Sequence, residues 1–221
     1  MFVYIYNINS ILMRCLKTKA GAEHLQMFKD VHTLLLHRGL QPKYCRIDNE
    51  CSAPIKKFIT DNDMELQLTP PQMHRRNWTE QSIHTGKSHL IAGLVGIYTK
   101  FPLHLWCMLI PQCEKTLNMM RPTHINPKIS SDTYLQGIHD FNRVPFPPPG
   151  ILTVVHEYSD SRESYAPHGL KVYYVGGSPE HYRCFDIWCP DTRRVCQGKT
   201  VRFLPHDHVI PGLSPHENIT R

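Results

Sequence analysis

The run PFPPPG, from Pro145 to Gly150, constrains this chain more than any other stretch. Proline has no amide hydrogen to give a helix or a sheet ladder, so consecutive prolines impose a stiff, extended spacer. The two sides of that spacer differ in texture. Upstream, helical periodicity alternates with short strand-like runs, the pattern of an α/β unit; downstream, short runs rich in Val, Tyr, Phe and Ile are broken by Gly, Pro and Asp, which suits a small all-β unit. The chain therefore divides into an α/β core over 1–125, a proline-punctuated connecting segment over 126–149, a small β domain over 150–206 and a flexible tail over 207–221.

Within the core, Phe2 to Tyr6 and Ser10 to Leu16 are strand-like around an Asn-rich turn and predict an antiparallel hairpin. Leu25, Phe28, Val31 and Leu35 then recur at helical spacing after Thr18 as a cap, and Gly39 supplies a left-handed stop. KYCRID reads as a buried strand that delivers Asp48 at its carboxyl end, where open α/β sheets place their chemistry. Ser52 and Pro54 open a short helix, and Met64, Leu66 and Leu68 alternate as a further strand stopped by Pro70 and Pro71. Asn77 caps a helix from Trp78 to about Leu94, with Ile83, Leu90 and Leu94 as its apolar stripe and Glu80, His84 and Lys87 at i, i+4 and i+7 on another face. A last helix, from Pro102 to Met120, should kink at Pro111. The β runs of the second domain are ILTVVHEY, KVYYVGG, HYRCFDIW and TVRFLP.

A formal charge of +6 with 15 histidines favours an acidic partner such as nucleic acid. The eight cysteines are scattered with no C-x-x-C pair, so they read as reduced thiols and not as a zinc knuckle. MFVYIYNINSILMRCL is apolar but lacks a basic leader and a small-residue cleavage site, and Leu90 to Tyr98 is too short to span a bilayer. The chain is accordingly expected off the membrane and inside the cell, in the nucleus or cytoplasm. No P-loop, G-x-S-x-G elbow or internal repeat is present.

RIDNE around Asp48 and PPQMHRRNWTEQSIHTGKSHLIAGL around Glu80 resemble the second and third acidic motifs of copia-type retrotransposon integrases. FPLHLWCMLIPQCEKTLNMMR resembles the helix that follows them. INPKIS, the PPPG turn, APHGLKVYYVGGSPEHYRCFDIW and TVRFLP resemble the C-terminal region of those enzymes. The resemblance implies a ribonuclease-H-like integrase core lacking its first strand, followed by a small SH3-like β domain. It also implies metal-dependent phosphodiester transfer, in which Asp48 and Glu80 hold Mg2+ or Mn2+ and a metal-activated hydroxyl attacks a DNA phosphate. Lys87, Arg75, Arg76, His84 and Asn77 are implied as nucleic-acid contacts, with element ends and target DNA as partners and a homo-oligomer as the working form.

Departures from the family pattern point to impairment. Gln81 and His84 stand where relatives usually carry arginine, and Gly86 inside the helix costs about 1 kcal/mol in propensity relative to alanine. The third carboxylate of such a site sits on a strand before the hairpin, and no Asp or Glu precedes Glu23, so little or no strand transfer is expected from this chain alone. That absent strand would also leave the hairpin with an unpaired edge. The alternative is a non-catalytic nucleic-acid-binding or interaction module, in which Asn77-x-x-Glu80 is a capping box and the basic residues form a solvated face.

Overall fold

The computed structural model describes residues 1–16, 18, 20–47, 51–69, 78–97, 100–156, 167–178 and 181–204 as a mixed α/β protein. Strands β1 (Phe2–Ile5) and β2 (Ser10–Met13) form the expected antiparallel hairpin, with Ile5 opposite Ser10. Asn9 sits at φ 52°, a left-handed conformation that asparagine tolerates, and its amide donates to the Tyr6 carbonyl at 3.0 Å. The hairpin is buried on both faces by alternation. Val3, Ile5 and Leu12 join Val31 and Leu35, whereas Phe2, Tyr4, Ile11 and Met13 join Ile110, Cys113 and Leu117.

Helix α1 (Gly21–His37) supplies Val31 and Leu35 to that first cluster. It ends as the sequence predicts: Gly39 takes φ 71°, its amide donates to the Leu36 carbonyl, and the Leu40 amide reaches back to Leu35 at 2.9 Å. Its start differs. Thr18 is not a helix cap; it donates from its amide and hydroxyl to Glu23, and Ala20 precedes the helix.

Strands β3 (Tyr44–Ile47) and β4 (Glu65–Leu68) pair in parallel, joined through helix α2 (Ala53–Asp61). Phe58 of α2 meets Phe28 of α1 edge-on at 5.8 Å between ring centres. The expected burial of β3 is corrected: Tyr44 is 66% exposed and its neighbours alternate between exposed and half-buried, because among the described residues β3 has β4 alone as a bonded neighbour. Likewise β1 pairs only with β2 among the described residues.

Helix α3 (Trp78–Val95) crosses the hairpin, and helix α4 (Ile110–Met119) lies along the outer edge of β2. The single kinked helix expected over Pro102 to Met120 is instead a 3₁₀ helix, Leu103–Leu109, followed by α4. Pro111 falls in the first turn of α4, where its missing amide hydrogen has no bond to make, so it begins the helix and does not bend it. Helix α5 (Ser131–Gln136), inside the stretch read as a plain connector, is capped by Ser130, whose hydroxyl accepts from the Thr133 amide at 3.1 Å.

The remaining strands, β5 (Leu152–His156), β6 (Gly169–Gly177), β7 (Phe185–Cys189), β8 (Arg194–Gly198) and β9 (Val201–Phe203), form one antiparallel sheet in the order β8-β7-β6-β5-β9. One face packs Leu152, Tyr173, Val175 and Trp188 on Ile97, Phe101 and Leu109; the other buries Val172, Tyr174, Phe185 and Ile187. Gln112 of α4 joins the two regions, accepting from the Tyr174 hydroxyl at 3.1 Å and donating to the Pro147 carbonyl at 2.9 Å. No helix among the described residues is long and apolar enough to cross a membrane.

The outer edge of β2 is bonded by side chains of α4. Asn118, 2% exposed, accepts from the Ile11 amide and donates to the Ile11 carbonyl, both at 2.9 Å, and Glu114 accepts from the Met13 amide. Asn118→Leu would orphan two buried backbone groups and is expected to lower the unfolding free energy by roughly 2–4 kcal/mol in urea titration. Burial raises the Glu114 carboxyl above its ordinary range, outweighing the Arg14 guanidinium bonded to it. A carboxyl raised in the folded state favours folding below its unfolded value of 4.5, and that contribution is lost as pH rises through the raised value. The Glu114 contribution is therefore expected to diminish as pH rises above 4.5, and Glu114→Gln should remove that part of the pH dependence in urea titrations at stepped pH.

Candidate nucleic-acid interface

Helix α3 carries the residues on which a site can be built. Its buried side is made of small groups: Ser82 and Gly86 are buried, and Gly93 lies on the same side. A Cβ on Gly86 would fall 2.7 Å from Cε1 of Phe2, and one on Gly93 would fall 3.3 Å from the Cys113 sulfur. Gly86 is thus where the hairpin closes on the helix, which answers its expected cost in helix propensity. The predicted apolar stripe is only half-buried, with Leu90 packing beside the hairpin cluster and Leu94 beside the sheet cluster. Polar side chains bond the helix backbone: the Ser82 hydroxyl donates to the Trp78 carbonyl at 2.7 Å and Thr85 to the Gln81 carbonyl at 2.8 Å.

With that side inward, Glu80, His84 and Lys87 all lie exposed along the opposite side. A carboxylate, an imidazole and an ammonium in one stripe give a rigid helix surface that can meet a phosphate backbone through Lys87. Asp48, Arg75, Arg76 and Asn77 lie outside the described residues, and so does the capping bond proposed for Asn77 and Glu80. Strand β3 is described as far as Ile47, the residue before Asp48. Among the described residues no group of three or more His, Cys, Asp or Glu is placed to hold a metal ion. Glu80 by itself is one hard oxygen donor, suited in kind to Mg2+ or Mn2+ but short of the ligand number either requires.

Helix α3 carries a second feature to which none of the sequence motifs points. Trp78, Gln81, Ser82 and Thr85, together with Tyr4 and Asn9 of the hairpin and Arg121 and His124 after α4, line a cavity of about 100 Å³. The Trp78 ring lies parallel to Tyr4, with centres 6.4 Å apart, and edge-on to Tyr6 at 5.8 Å; His124 sits 4.8 Å from Tyr6. Arg121 is fixed at the back of this group, donating from Nε to the Asn9 carbonyl at 2.8 Å and from Nη2 to the Asn9 side chain, with its guanidinium 6.0 Å over the Tyr4 ring. Phe2, Tyr4 and Tyr6 alternate along the hairpin, a period-2 signal in the sequence that aromatic residues share one side.

No family model matches the chain, and no curated protein matches it. Solved structures similar to it include a chain of the "CryoEM structure of simian T-cell lymphotropic virus intasome in complex with PP2A regulatory subunit B56 gamma", at a TM-score of 0.41 and 12% sequence identity, covering 92% of this chain and 72% of that one.

Proposed function

We propose that this chain binds DNA as part of a copia-type integrase, with a ribonuclease-H-like core, an SH3-like β domain and metal-dependent phosphodiester transfer as the inherited activity. The observation that carries the reading is the exposed stripe of Glu80, His84 and Lys87 on a helix whose other side is seated by Ser82 and Gly86. It agrees with the acidic motifs around Asp48 and Glu80 and with the net charge of +6. In this reading Lys87, with Arg75, Arg76, His84 and Asn77, holds the backbone of element ends or target DNA. The protein works as a homo-oligomer in the nucleus or cytoplasm.

Asp48 and Glu80 are the residues that would hold Mg2+ or Mn2+, which when bound supplies Lewis-acid activation of a hydroxyl for attack on phosphorus. The second reading is a non-catalytic nucleic-acid-binding or interaction module, in which the exposed stripe of Glu80, His84 and Lys87 meets its partner without a metal.

Two measurements test these readings. In fluorescence anisotropy with duplex DNA, Lys87→Ala is expected to weaken binding and to reduce the slope of log affinity against log salt by about 0.9, the signature of one lost phosphate contact. An unchanged slope removes Lys87 from the interface. In NMR titration, Mn2+ is expected to broaden amide signals around Asp48 and Glu80 selectively, with Glu80→Gln abolishing the effect. Uniform or absent broadening, with DNA binding retained, selects the non-catalytic module.

A further inference from the structure

Two large rings stand exposed side by side: Trp78, which lines the cavity on α3, is 54% exposed, and Tyr6, edge-on to it, is 56% exposed. They are accompanied by a third ring, Tyr4, and by the bonded cation Arg121, and among the described residues no carboxylate lines the cavity. Flat apolar faces next to a positive charge, with the Gln81 carboxamide exposed at the rim, match the chemistry of a nucleobase: a π-face to stack, polar edges to bond, and a phosphate nearby to neutralise. At about 100 Å³ the space is too small for a base pair or a folded peptide segment.

We propose that this cavity takes one unpaired nucleobase of a DNA strand, stacked on Trp78 with the Tyr6 ring standing edge-on beside it, and with Arg121 and Gln81 facing its polar edge. The proposal deepens the DNA-binding reading and rests on it. The two sites use different sides of one helix: Trp78, Gln81 and Thr85 turn towards the hairpin, while Glu80, His84 and Lys87 turn away from it. A duplex held at the Lys87 stripe would then have a frayed or single-stranded end within reach of the rings. Because every base has a π-face, recognition of this kind is tolerant of sequence and selective for strands whose bases are already unstacked.

The test compares, at fixed salt, a blunt duplex, the same duplex with a short single-stranded overhang, and free thymidine monophosphate. The overhang is expected to tighten binding about tenfold, the usual scale of one base stacked on an aromatic side chain. Trp78→Ala combined with Tyr6→Ala should return the overhang duplex to blunt-duplex affinity and leave the blunt duplex unaffected, while Trp78→Phe keeps the advantage. Lys87→Ala should weaken both duplexes by the same factor. Equal affinity for the two duplexes with Lys87 dependence intact overturns the base site alone. Failure to bind either duplex overturns the DNA-binding reading and this inference with it. Saturable quenching of Trp78 by thymidine monophosphate without an overhang advantage overturns the strand as the source and assigns the same base recognition to a free nucleotide.

Discussion

The structure depends on how the outer edge of β2 is satisfied. A strand edge buried against a helix leaves alternate amides and carbonyls without partners, at about 1–3 kcal/mol for each orphaned group, and the helix backbone has nothing to offer because its own ladder uses it up. Side chains must serve instead. Asn118 and Glu114 are four residues apart on α4, a rise of about 6 Å, and Ile11 and Met13 are two residues apart on β2, about 7 Å, so successive helix positions meet successive outward-facing strand residues. The chemistry also matches. An amide both accepts and donates, so Asn118 alone closes both groups of Ile11, whereas a carboxylate only accepts, so Glu114 takes the Met13 amide and Arg14 supplies the donor at 2.8 Å to the Met13 carbonyl.

With that edge fixed, the hairpin has no freedom to slip by one residue, since a slip would exchange its two faces between two differently shaped clusters and carry the Ile11 and Met13 amides away from Asn118 and Glu114. The face towards α3 then runs Phe2, Tyr4, Tyr6. Gly86 admits the first of these rings, and Tyr4 and Tyr6 meet Trp78 at the start of the helix. The aromatic cavity forms where Tyr4 meets Trp78, the first described residue of α3, and Arg121, bonded to Asn9 in the hairpin turn, lines it as well.

What could be read from the sequence was local. Alternation gave the hairpin, helical spacing with Gly39 gave α1 and its stop, and the i, i+4, i+7 pattern put Glu80, His84 and Lys87 on one surface. What could not be read depends on partners distant in sequence. The exposure of β3 follows from which strands pair with it, and β8, mostly exposed along RVCQG, has no apolar alternation to announce it. Pro111 signals either a kink or a helix start until the preceding turn is known to be 3₁₀. The cavity draws on residues near positions 4–9, 78–85 and 121–124, and no single stretch contains its pattern. Of the residues expected to act on DNA, Asp48, Arg75, Arg76 and Asn77 lie outside the described residues, and the expectation for them stands on motif alone.

Helix α4 shows why polar atoms, and not apolar area alone, set this arrangement. Besides Glu114 and Asn118 on β2, Gln112 reaches Tyr174 in the sheet and Pro147 in the proline run, and Lys115 pairs with Asp132 of α5 at 3.5 Å. Burial holds the Tyr174 phenol neutral, so its hydroxyl remains a donor and the Gln112 oxygen its acceptor. Apolar contacts tolerate sliding, but a buried hydrogen bond is lost within a fraction of an ångström and leaves two groups unpaired when it goes. Four polar side chains of one ten-residue helix thus register the hairpin, the sheet, the proline run and α5 against each other. Helix α3 is seated through glycine and serine on the hairpin that α4 fixes, so the positions of its outward stripe and its aromatic end depend on α4. A substitution in α4 would therefore disturb both candidate DNA contacts without touching either.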